Sequence, residues 1–101
     1  MGHHIIPFHK FVQEHPIMQM AFRAGFNPNN ASVNGKAIEG ALNTGNHTAY
    51  ANKIEDYLNS LPIPNGGWNP VKAKEAINVL ISKIKAAIDA NPGVHVDHLT
   101  F

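Results

Sequence analysis

Gly2-His3-His4-Ile5-Ile6-Pro7, "GHHIIP" over residues 2–7, sets two adjacent histidines directly before an apolar pair closed by proline. Ile5 and Ile6 favour extended backbone and Pro7 ends it, so the stretch reads as a short strand. Neighbouring residues on a strand point to opposite faces, so His3 and His4 cannot both ligate one ion without distortion. They can divide the labour: one binds a metal while the other reaches a substrate from a different direction. Two blander readings compete, since a Met-Gly-His-His start is also how a purification tag begins and histidines are common on surfaces. The residues downstream decide among them.

At 101 residues, 44% of them hydrophobic, the chain has the size and composition of one small globular domain. No run approaches the roughly 18 consecutive apolar residues that a membrane span needs. Met1 is followed by histidines, not by the basic and then apolar stretch of a signal peptide. Cysteine is absent, which excludes disulfides and thiolate-held zinc. Any metal must therefore be held by histidine, asparagine or carboxylate. Eight Lys and Arg stand against seven Asp and Glu, a formal charge of +1, so bulk charge does not mark a nucleic-acid binder. A nuclease is still compatible, because a bound divalent ion supplies positive charge where it is needed. Histidine is the outlier: there are seven, and His3, His4, His9 and His15 fall within the first fifteen positions.

Periodicity places the rest. Apolar residues at Ile17, Met18 and Phe22 predict a helix from about Pro16, ended by Gly25. "NPNNASVNGKAIEG" reads as a loop with one or two very short strands around residues 29–39, Asn34-Gly35 being its strongest turn signal. "NTGNHTAYANKIEDYLNSL" reads as a helix capped by Thr44 or Asn46, with His47 on the inward stripe of Tyr50, Ile54, Tyr57, Leu58 and Leu61. Asn69-Pro70 opens the longest helix, residues 70–90, with Val71, Ile77, Leu80, Ile81, Ile84 and Ile88 on one face. The tail "VHVDHLTF" alternates enough to be a strand or a draped segment, and its His95 and His98 read as surface residues. Tyr50, Trp68 and the phenylalanines read as core. A short hairpin and a helix carrying an inward histidine form the minimal frame that can pinch a divalent ion between them.

"GHHIIP", the "HP" ahead of a helix, "AGFNPNNASVNG" and "HTAYANKIEDYL" together resemble the HNH/endonuclease VII superfamily nucleases with the AHH or GHH signature. These occur as toxin modules of bacterial polymorphic toxins. The resemblance covers residues 2–61. It implies an α+β fold: a small ββα-metal (His-Me finger) core with additional packed helices. On that basis residues 1–101 are a single nuclease toxin domain, 1–61 forming the metal-site core and 62–101 a C-terminal helix and tail.

What the resemblance implies for individual residues is specific. His3 and His47 would be metal ligands and His4 the general base that takes a proton from water. Asn34 would orient that base and its loop. Family members often carry a further histidine one helical turn before the His-x-x-Tyr position, where this chain has Asn43. The cofactor implied is one divalent ion, Mg²⁺, Mn²⁺, Ni²⁺ or Zn²⁺, and an asparagine ligand tilts preference toward Mg²⁺, Mn²⁺ or a similar ion over tightly held Zn²⁺. His9, His15 and Lys53 are candidate phosphate contacts, each also readable as an ordinary helix-start or solvated residue.

The activity implied is metal-dependent endonucleolytic cleavage of DNA through backbone phosphates, as an antibacterial toxin. A longer delivery protein would precede the His pair, and the domain would act in the target-cell cytoplasm. A cognate immunity protein would protect the producer, and no membrane is involved. Two alternatives stand beside it: a catalytically inactive relict serving as an interaction module, and an RNase on the same frame.

Overall fold

A computed structural model describes residues 2–7, 9–37 and 48–101 of the chain. Two strands of three residues, β1 (Gly2–His4) and β2 (Gly35–Ala37), pair antiparallel with Gly2 opposite Ala37, His3 opposite Lys36 and His4 opposite Gly35. Between them run α1 (Lys10–Gln13), α2 (Pro16–Arg23) and α3 (Ala31–Asn34). Then come α4 (Thr48–Ser60), α5 (Pro70–Ala90) and a 3-10 turn, Val96–His98.

The expected α+β fold with a ββα-metal core is not what forms: the chain is mostly helical. The physical reason lies in where apolar area is buried. The 13 residues of α4 and the 21 of α5 carry much of the apolar periodicity, whereas the strands supply only three residue pairs. Nor are the strands a hairpin, because three helices intervene. Asn34-Gly35 is no tight turn either: Asn34 closes α3 and Gly35 begins β2 without a break.

The longer helices are punctuated as their sequences demand. His15 caps α2, its ring Nδ1 accepting from the Ile17 amide at 3.2 Å, and Pro16 takes the first helical position. At the other end Gly25 adopts φ +94°, and its amide and that of Phe26 donate to the Phe22 and Ala21 carbonyls at 3.0 Å each. That pair of bonds is a Schellman close, which needs a residue able to enter the left-handed region. Asn69 caps α5 by accepting from the Lys72 amide at 2.9 Å.

α5 buries Ala73, Ile77, Leu80, Ile81 and Ile84, one face of a helix, with α2 packed along it. Val71, expected on that face, is 63% exposed, because the buried stripe starts at Ala73. Ile5, Ile6, Val12, Met18, Tyr50, Ile54 and Leu58 fill the same core from the other elements. Trp68, Phe11, Phe22 and Phe101 pack partly buried around it. Lys36 and Asp89 form an ion pair at 2.8 Å that ties β2 to the last turns of α5. The tail is a draped segment, not a strand: Val96 and Leu99 are buried against the core. No helix among the described residues is long and apolar enough to cross a membrane.

Candidate functional site

The His pair lies on β1, whose backbone is gripped on the far side of His4 by two distant residues. Asn34 acts first. Its carbonyl accepts from the Ile5 amide at 2.9 Å and its side-chain Oδ1 from the Ile6 amide at 2.7 Å. Its Nδ2 donates to the Ile6 carbonyl at 3.2 Å and to the Pro28 carbonyl at 2.9 Å. Asn34 is 0% exposed, so a side chain that would be costly to bury alone has its bonding capacity used on both faces. The two-way bond with Ile6 mimics one rung of a ladder and extends the grip of α3 and β2 past the end of β1.

Tyr50 acts second. It lies in the first turn of α4, buried, with its hydroxyl donating to the Ile5 carbonyl. Burial pushes its phenol well above the ordinary tyrosine range, so the group stays a protonated donor. Tyr50 is also restrained by the tail, since its backbone amide donates to the Asp97 carboxylate at 3.0 Å. Residues 5 and 6 are therefore held from β2's side by Asn34 and from α4's side by Tyr50.

His4 is exposed, and the residue opposite it in the ladder is Gly35, which has no side chain to cover it. A base that must meet a solvent-borne substrate needs that access. The backbone of His3 pairs with Lys36. His47 and Asn43, expected as metal ligands, lie outside the described residues, as do the Thr44 and Asn46 caps expected for α4. Among the described residues no three histidine, aspartate or glutamate side chains lie close enough to hold a metal ion. The donor set expected, imidazole and amide, nevertheless has the chemistry of a site for Mn²⁺, Ni²⁺ or Zn²⁺, with the amide oxygen also acceptable to Mg²⁺.

The expected phosphate contacts have visible structural duties. Both ring nitrogens of His15 are engaged, Nδ1 as the α2 cap and Nε2 donating to Asn59 Oδ1 at 2.8 Å. Lys53 donates to the Asp97 carbonyl at 3.1 Å and the Leu99 carbonyl at 2.5 Å. His9 precedes α1 and packs edge-on against Phe11, ring centroids 5.7 Å apart. Sequence reasoning treated Tyr50 as core and gave Asp97 no role. The Tyr50 signal was present in His-x-x-Tyr; for Asp97 there was none.

The chain matches no protein-family model, no curated protein and no solved structure.

Proposed function

We propose that this chain is a metal-dependent endonuclease of the HNH/endonuclease VII kind, cleaving DNA as an antibacterial toxin domain. One observation carries the reading. Three separated motifs of the resemblance, the His pair, Asn34 and Tyr50, meet on the backbone of Ile5 and Ile6 directly beyond His4. A purification tag or an incidental surface pair has no reason to be followed by a segment fixed this firmly.

In this reading His4 takes the proton from a water whose oxygen attacks phosphorus, and the bond from phosphorus to the 3′-oxygen breaks. A neutral imidazole offers one ring nitrogen that can accept a proton, which is what such a base needs. Asn34 and Tyr50 hold the strand end so that the imidazole does not wander during the step. His3, His47 and Asn43 would hold a divalent ion, which supplies polarisation of the phosphate and stabilisation of the departing oxygen. With a formal charge of +1, recognition rests on backbone phosphates beside the site and shows little sequence preference. A delivered effector acting in the target-cell cytoplasm, with an immunity protein as partner, completes the reading.

The test is plasmid DNA incubated with the protein and Mg²⁺, Mn²⁺, Ni²⁺ or Zn²⁺, with a chelator control and His4→Ala alongside. Chelator-sensitive nicking that falls by about 100-fold or more in the variant is the expected result. Intact plasmid with every ion overturns the DNase. Cleavage of RNA alone would then point to the RNase, and ion binding without cleavage to a relict interaction module.

A further inference from the structure

The tail and the first turn of α4 hold each other reciprocally. α4 has no acidic residue in its first turn, and the first backbone amides of any helix lack intrahelical partners. Asp97, 47 residues away in sequence, supplies one: its Oδ1 accepts from the Tyr50 amide at 3.0 Å. Its negative charge also sits at the helix end that favours one. In return Lys53, one turn further along α4, donates to the Asp97 and Leu99 carbonyls.

The clasp is anchored on both sides. Val96 and Leu99 are each 1% exposed, and Phe101 packs edge-on against the Tyr50 ring at 6.1 Å. The His95 Nδ1 accepts from the Asp97 amide at 3.1 Å, fixing the 3-10 turn that aims the carboxylate. Tyr50 passes the restraint on, because its hydroxyl bonds to the Ile5 carbonyl beyond His4.

We propose that Val94–Phe101 is a clasp and that Asp97 is a positioning residue, setting the first turn of α4, through Tyr50, against the strand end that follows His4. The proposal rests on the nuclease reading for its catalytic consequence, though not for its geometry. A base works at full rate only when the backbone that carries it is fixed, and an error of about 1 Å can cost about 100-fold in rate. The tail supplies that fixity from outside the motifs.

The test compares the wild-type chain with Asp97→Ala and Asp97→Asn. Asparagine retains an oxygen that can accept from the Tyr50 amide; alanine does not. Amide exchange of Tyr50 is followed by NMR, and nicking by kcat, KM and the Mn²⁺ concentration at half-maximal rate. In the folded alanine variant the Tyr50 amide should exchange about tenfold faster than in wild type. Its kcat should fall by about 10- to 100-fold with KM for DNA little changed and the Mn²⁺ midpoint raised. Asparagine should restore both. Unchanged Tyr50 exchange, or unaltered kcat and Mn²⁺ midpoint per folded molecule, overturns the positioning role. Should the wild type nick nothing with any ion, the nuclease reading fails, and Tyr50 exchange alone decides the clasp. If Asp97→Ala does not fold, Lys53→Met releases the other half of the clasp, and slow Tyr50 exchange in it overturns the proposal.

Discussion

The Tyr50 hydroxyl donates to the Ile5 carbonyl, joining the first turn of α4 to the residue directly after His4. β1 is three residues long and has a single strand neighbour among the described residues, so its ladder alone is a weak hold. The bond from Tyr50 and those from Asn34 replace the neighbouring strands that a larger sheet would provide. His4 thus stays exposed while the backbone that carries it is pinned from inside the core.

Tyr50→Phe keeps the ring and removes the donor. The Ile5 carbonyl is then buried without its partner, which costs about 1–3 kcal/mol. Urea denaturation should show a lower midpoint with an unchanged slope. Because the ring still fills its place, circular dichroism should be unaltered below the transition.

The same phenol makes stability depend on alkaline pH. Its folded-state pKa is raised by burial, so its contribution is complete below the unfolded value of about 10 and is lost as pH rises beyond it. Above that point the unfolded chain releases the Tyr50 proton and the folded chain does not. Wild type should therefore lose about 1.4 kcal/mol per pH unit that Tyr50→Phe does not lose. The stability gap between them, followed by denaturant titration from pH 9 to about 11.5, should narrow with rising pH. A constant gap would mean that the phenol ionises as readily folded as unfolded.

What was legible in the sequence is what local chemistry determines. Pro16, Gly25 and Asn69-Pro70 mark helix ends through their own backbone geometry, and the structure uses them so. Asn34-Gly35 misled because the dipeptide suits tight turns, yet the role of Asn34 is set by contacts with Ile6, 28 residues away. Tyr50 was readable as buried from its place on the α4 stripe, but the partner of its hydroxyl is a tertiary fact. The alternation of "VHVDHLTF" left a strand and a draped segment open; the draped segment forms, with the His95 side chain capping a 3-10 turn, and among the described residues no strand pairs with it. The histidine pair was visible at once as two adjacent imidazoles, but that His4 faces a glycine across the ladder is again a tertiary fact.

His15 separates a cap from a phosphate contact. Its Nδ1 holds the Ile17 amide and its Nε2 holds Asn59, tying the start of α2 to the end of α4. His15→Ala should cost about 0.5–2 kcal/mol in stability through the lost cap. Nicking per folded molecule should stay at the wild-type level, with the same dependence on salt. A flatter salt dependence with unchanged stability would make His15 a phosphate contact of the proposed nuclease.

Asn34→Asp tests the grip on Ile6 by a change of charge at constant shape. One oxygen can still accept from the Ile6 amide, but the atom replacing Nδ2 now faces the Ile6 and Pro28 carbonyls. An ionised carboxylate there is repelled by both acceptors and stripped of water, whereas a protonated one can donate to one of them. Its folded-state pKa should therefore lie above the unfolded value of about 3.9. By linkage, the variant keeps its full stability only below that value and loses it as pH rises toward neutrality. Denaturant curves at pH 4 and pH 7 should show a deficit against wild type that is larger at pH 7. Between the unfolded and folded pKa values of the new carboxyl it should grow by about 1.4 kcal/mol with each step of one in pH. A deficit independent of pH would mean that the loop has opened to admit water, and the nicking proposed for His4 should then have fallen as well.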